Sequence, residues 1–164
     1  MIKSARLELR KFIPSDKEPM LSLLQDKDFM AFSPTGVMTK QQAELRFQGL
    51  LDAFSKKGIG KFAVIESVSA ELIGYCGIES FQYKEEEVVE LGYRIKKSAR
   101  GQGYAQEASQ AALRFAKQSG YTQVIALAEL DNAASHHILY KLGFEASEKG
   151  HYQNMPVQYF EKYL

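Results

Sequence analysis

A second cysteine is missing: Cys76 stands alone among 164 residues, so no internal disulfide can form. Its neighbours in Ile73-Gly74-Tyr75-Cys76-Gly77-Ile78 are apolar, which favours a small buried side chain over a reactive thiol. A reducing, cytoplasmic setting is expected. An excess of charge is missing as well. The formal net charge is +1, without the basic surplus of a dedicated nucleic-acid binder, so no nucleic-acid partner is expected. No apolar run approaches bilayer length and residues 1–6 hold no apolar signal core, so neither a membrane span nor export is expected. What is present is a globular composition, 45% hydrophobic and 25% charged. A chain of this length buries a core without disulfides or structural metal. With no repeat, low-complexity tract or linker, it is expected to form one domain over residues 1–164. Nothing in the pattern decides between monomer and homodimer.

Leu7 and Leu9 alternate with Arg6, Glu8 and Arg10, the pattern of a strand with one buried face. Two helices follow. Ser15 with Glu18 reads as a capping box ahead of Met20, Leu21 and Leu24, and Thr39 with Gln42 repeats it ahead of Ala43, Phe47, Leu50, Leu51 and Phe54. Lys56, Lys57 and Gly58 suit the end of the second helix. Residues 61–66, 71–81 and 88–95 read as an antiparallel meander, with the acidic run Glu85, Glu86, Glu87 at a solvated hairpin tip. A third helix spans 103–119, a strand 122–130, a short helix 133–142, and residues 144–148 and 157–163 a closing hairpin. The order is βααβββαβαββ: an α+β fold, with a mixed, mostly antiparallel seven-stranded sheet flanked by four helices.

The informative segment is the strand ending Glu90-Leu91-Gly92-Tyr93-Arg94-Ile95, followed by Arg100-Gly101-Gln102-Gly103-Tyr104-Ala105 at a helix start. The first N–H groups of a helix lack internal partners and sit at the positive end of its dipole, so they suit a phosphate. Gly101 and Gly103 allow a ligand close to the main chain, and Ala105 keeps the first turn open. A P-loop is excluded because Tyr104 and Ala105, not Lys and Ser or Thr, follow Gly103. A dinucleotide fingerprint is excluded because Gln106 falls where a third small residue is needed and the preceding strands form a meander.

Arg-x-x-Gly-x-Ala at Arg100 to Ala105 resembles the cofactor motif of the GCN5-related N-acetyltransferases (GNAT), and the helical order is similar. Arg6-Leu7-Glu8-Leu9-Arg10 with Ser15-Asp16, Glu90-Leu91-Gly92-Tyr93, Asn132-x-x-Ser135 and Leu142-Gly143-Phe144 resemble the RimJ/RimL branch, which acetylates ribosomal-protein N-termini. The resemblance covers nearly the whole chain. It implies the acyl-CoA N-acyltransferase fold, acetyl-CoA as cosubstrate, no metal, and direct transfer to a primary amine. The amine is that of a protein or peptide N-terminus or of a small molecule such as a polyamine, aminoglycoside or amino acid. A non-catalytic acyl-CoA-binding module is the rival from another class.

By the same resemblance, pantetheine bonds the main chain at Tyr93, Arg94 and Ile95 in a gap where the sheet splays, and an N–H at Tyr93 or Ile95 polarises the thioester carbonyl. The pyrophosphate meets N–H groups from Gln102 to Ala105. Asn132 matches a pantetheine-bonding position and Ser135 a hydroxyl near the cofactor sulfur, although helix capping explains both residue types as well. Glu90 matches a base acting through water, with a structural carboxylate as its other reading. Many members protonate the leaving thiolate with a tyrosine four residues before the glycine of Gly-Phe. Here Leu139 holds that place and Tyr140 falls one residue later, about 100° around the helix. Ser135 or solvent is then the better proton source. His136 and His137 lack partners at metal-ligand spacing. His151 falls in the segment whose family counterpart lines the acceptor entrance, and Phe29, Phe32, Tyr83 and Tyr152 are further candidates for the acceptor cleft.

Overall fold

The computed structural model describes residues 1–164. Strands β1 (Ile2–Lys3) and β2 (Leu7–Arg10) lead to helices α1 (Lys17–Leu24) and α2 (Lys40–Lys57) and then to β3 (Lys61–Glu66), β4 (Glu71–Tyr83) and β5 (Glu86–Ile95). Helix α3 (Tyr104–Gln118), β6 (Gln123–Glu129), α4 (Ala133–Lys141), β7 (Glu145–Tyr152) and β8 (Met155–Tyr163) complete the chain. All strands join one sheet in the order β1-β2-β3-β4-β5-β6-β8-β7. Only β5 and β6 run parallel. Eight strands stand where the pattern predicts seven. The addition is the two-residue β1, which pairs Ile2 with Leu9 and is too short to show a periodicity of its own.

β3 shows how the sheet is covered on both faces. Phe62 and Val64 join the larger core with Leu7, Leu9, Ala108 and Ala112, while Ala63 and Ile65 join Met20, Leu24, Phe47 and Leu50 on the other side. Alternate strand residues point to opposite faces, so a strand buried on both sides is apolar without interruption.

The second predicted helix start holds: Gln42 N donates to Thr39 Oγ1 at 3.1 Å and Thr39 N to Gln42 Oε1 at 2.9 Å, with Gly58 left-handed at the other end. The first does not. Pro14 opens a short 3-10 turn ahead of α1, and Asp16, not Glu18, reaches back to accept from Ile13 N at 2.9 Å. The same carboxylate takes both Nη groups of Arg10 at 2.8 and 2.9 Å. The closing hairpin is also longer than predicted. β7 continues to Tyr152 because Gln153 and Asn154, both at positive φ (48° and 69°), make a two-residue turn that matches strand twist.

The site follows from the one parallel junction. β5 and β6 share a single matched pair, Glu90 with Ile125. Beyond it β5 stays with β4 as far as Ile95, and β6 stays with β8 as far as Glu129. The sheet parts there, with α3 starting just past the end of β5 and α4 just past the end of β6.

Candidate active site

The gap between β5 and β6 opens into a cleft of about 640 Å³ that runs from the start of α3, past β5, to the faces of α2 and β3. One half is built from main chain. Lys96 N donates to Ile73 O of β4, and Arg94, two residues earlier, turns the same way by strand alternation. The N–H groups of Tyr93 and Ile95 therefore face the gap. Arg94 is the exception among the three expected main-chain contacts: its backbone faces β4, and its guanidinium donates to the carbonyls of Phe29 and Ala31 at 3.0 and 2.8 Å. It ties the α1–α2 connection to β5.

None of the N–H groups from Gly101 to Gln106 finds an acceptor in the protein; the first helical bond of α3 is donated by Glu107, to Gly103 O. Gly101 and Gly103 hold the turn in the left-handed region, at φ 78° and 80°. The side chains around this turn brace it. Arg100 folds back, its Nε donating to Ile95 O at 2.9 Å, and the Tyr104 hydroxyl donates to Glu66 at 2.7 Å. Arg6 lies 4.5 Å over the Tyr104 ring, donates to Gln102 O at 2.7 Å and pairs with Glu107 at 2.8 Å. What remains open is a row of uncommitted N–H groups at a helix start, which fits an anionic pyrophosphate.

Across the gap, Asn132 takes the capping reading, and Ser135 supplies the N–H that it caps. Ser135 N donates to Asn132 Oδ1 at 3.2 Å, so Asn132 caps α4. The Ser135 hydroxyl is free of that cap and lies 2.8 Å from the Tyr93 hydroxyl, joining α4 to β5 across the cleft. Burial, partly offset by this hydrogen bond, raises the Tyr93 pKa and keeps the phenol neutral. Leu139 is buried at 1% exposure whereas Tyr140 is 56% exposed and packs edge-on against Phe160, so the one-residue offset turns the phenol away from the cleft.

The other half is built from ionisable side chains. Glu90 lines the cleft and accepts no hydrogen bond from the protein, so the reading as a carboxylate tied to backbone or to a tyrosine has no support in the geometry. Burial raises its pKa, Lys61 opposes the rise, and Glu79 adds to it. Glu79 is its cross-strand partner on β4. Glu79 receives Arg46 of α2 at 3.2 Å and faces Lys61 of β3 at 3.5 Å, and these two cations outweigh burial and hold its pKa low. Lys61 is 5% exposed. It crosses Gly92, where a Cβ would stand 2.9 Å from its Nζ and 3.4 Å from Glu90 Oε1. A side chain at position 92 would push the Lys61 ammonium from this place.

Arg46, Lys61 and Glu79 were not singled out from the sequence. Glu79, like Glu90, is a charge inside an apolar strand, a signal that could have found it; Lys61 looks like an ordinary strand start and Arg46 like a solvated helix residue. Of the aromatic candidates, Phe29, Phe32 and Tyr152 line the cleft, whereas Tyr83 packs on Tyr159 at the far hairpin. His151 pairs with Pro156 inside the β7–β8 hairpin rather than in a loop. His136 lies 3.0 Å from Glu129 O, and no three His, Cys, Asp or Glu side chains gather as a metal site would require.

The chain matches the family model described as an acetyltransferase (GNAT) domain over residues 6–145 and belongs to that family. It is an acetyltransferase. The uncharacterized N-acetyltransferase YnaD of Bacillus subtilis is 30% identical over 147 residues, covering 87% of this chain and 81% of that one. A GNAT-family acetyltransferase from Bacillus anthracis superposes with a TM-score of 0.80 at 26% identity, covering 99% of this chain and 97% of that one. The RimL ribosomal-protein alpha-N-acetyltransferase in complex with coenzyme A superposes with a TM-score of 0.80 over 98% of this chain and 96% of that one. At 18% identity it speaks for the fold.

Proposed function

We propose that this acetyltransferase, working as a single domain in the cytoplasm, moves an acetyl group directly from acetyl-CoA to a primary amine. A protein or peptide N-terminal amine is the leading acceptor, in keeping with the RimL-like fold. The observation that carries the reading is the unbroken row of unpartnered N–H groups from Gly101 to Gln106, opening onto the same cleft as Glu90. The bound cosubstrate supplies an acetyl thioester. Main chain from Gln102 to Ala105 holds the pyrophosphate, and the Tyr93 and Ile95 edge of β5 and the amide of Asn132 hold the pantetheine. An N–H of Tyr93 or Ile95 stabilises negative charge developing on the acetyl oxygen. Glu90 takes the amine proton through water, its raised pKa bringing it nearer to neutrality than a free carboxylate. The Ser135 hydroxyl, beside that of Tyr93, relays a proton from solvent to the departing thiolate and regains its own in the same exchange. No enzyme nucleophile is needed.

Calorimetric titration of acetyl-CoA, followed by thiol release against peptides and small amines in the same preparation, tests the reading. Binding with amine-dependent release is expected. Binding without release from any amine would turn the reading to a non-catalytic acyl-CoA-binding module, and absence of binding would overturn it.

A further inference from the structure

We propose that the acceptor carries a carboxylate a few bonds from its reacting amine, and that Arg46 binds it. The inference rests on the transferase reading above and names the class of acceptor for the same cleft. In the acceptor half of the cleft, Arg46, Lys61, Glu79 and Glu90 converge from α2, β3, β4 and β5. Glu79 is shared by both cations, at 3.2 Å from Arg46 Nη2 and 3.5 Å from Lys61 Nζ. Glu90 pairs with neither cation at ion-pair distance and carries a proton for part of each turnover if it serves as base. During that time Arg46 and Lys61, with Arg94 also felt at Glu90, face one fixed anion in a mostly buried site. Uncompensated charge is costly there, and an incoming anion relieves it.

Arg46 has the free edge to receive that anion. Its Nη2 donates to Glu79, its guanidinium lies 5.8 Å over the Tyr75 ring and within the influence of the Tyr75 hydroxyl, and neither Nε nor Nη1 makes a well-formed hydrogen bond in the protein. Its side chain is 30% exposed, in the cleft. A planar guanidinium with two open donors matches a carboxylate in bidentate fashion, as an ammonium does not. Glu79 and Glu90 are direct cross-strand partners, so Arg46 stands one strand spacing, roughly 5 Å, and one ion pair beyond Glu90. That span suits an amine at Glu90 with a carboxylate a few bonds away. Free amino acids present this chemistry, and so do peptides whose first residue is acidic. Polyamines bring only further positive charge to Arg46 and Lys61 and are disfavoured.

The test uses matched pairs: free amino acids against their amides, and short peptides beginning with Asp or Glu against those beginning with Asn or Gln. Thiol release is measured for each pair, with calorimetric binding of the same compounds to coenzyme A-saturated protein. The carboxylate-bearing member of at least one series is expected to be favoured about 10- to 100-fold in kcat/KM, and the series that shows it identifies the source. In Arg46→Gln that ratio falls toward one while acetyl-CoA affinity holds, which certifies the fold. Arg46→Lys keeps the charge, loses the fork and retains part of the ratio. Equal use of both members leaves the transferase standing and sinks the carboxylate; a ratio that survives Arg46→Gln also overturns it. Carboxylate-selective binding without thiol release from any amine does the reverse, sparing this inference and removing the transferase. No binding of any member counts against both.

Discussion

The two halves of the cleft are made of different material. Around Gly101 to Gln106 and along Tyr93 and Ile95, the groups open to a ligand are main-chain N–H groups, and the nearby side chains of Arg6, Arg100 and Tyr104 are committed to bracing the turn. Around Glu90, the groups open to a ligand are ionisable side chains on four elements that meet only in the folded chain. A main-chain site depends on the path of the backbone and tolerates most residue changes that preserve it. A side-chain site depends on each identity and on the charge of its neighbours. Substitutions on the two sides should therefore fail in different ways, affinity on one and turnover with pH dependence on the other.

Glu90→Gln should show the largest effect. A positioned base contributes about 10²- to 10⁴-fold, so kcat is expected to fall in that range with acetyl-CoA affinity unchanged; unaltered turnover would remove Glu90 from the mechanism. Gly103→Val attacks the opposite half. A branched side chain at φ 80° costs on the order of 1–2 kcal/mol in backbone strain and sets a Cβ 3.4 Å from Arg6 Nη2, which braces the turn. Acetyl-CoA Kd should rise about 10- to 100-fold by calorimetry, and undiminished binding would refute the loop assignment.

Lys61→Met sharpens the contrast through pH. Glu90 is active as a base when ionised, so kcat/KM should fall as pH drops through its raised pKa. Lys61 opposes that rise, so its removal should move the falling limb to higher pH, whereas an unmoved limb would show that Lys61 has no hold on the base. The smallest effects concern the proton returned to sulfur. Ser135→Ala should lower kcat by about 10-fold, while Tyr140→Phe, on the outer face of α4, should change it less than about 2-fold. The opposite order in turnover assays would return the acid to Tyr140.

The same division explains what the sequence discloses. A main-chain site is written in contiguous residues, because glycines at 101 and 103 and a helix start must follow one another along the chain. Thr39 with Gln42 is likewise local and reads correctly. Ser15 with Glu18 is equally local and misleads, because Pro14 starts the turn earlier and Asp16, committed also to Arg10, takes the capping role. β1 is too short to carry a pattern, and the Gln153–Asn154 turn lies in a polar stretch that reads as loop. Arg46, Lys61 and Glu79 come from three separate elements, and their meeting depends on strand register and on the missing side chain of Gly92. No local spacing encodes that.

Arg94 links the two halves. Its guanidinium grips carbonyl oxygens of Phe29 and Ala31, so it registers where the α1–α2 connection runs and is blind to which residues run there. The side chain of Ala31 can thus change without loosening that grip, while Phe32, at φ 57°, is restricted to residues that accept the left-handed region. The lining of this end of the cleft can vary while β5 keeps its place.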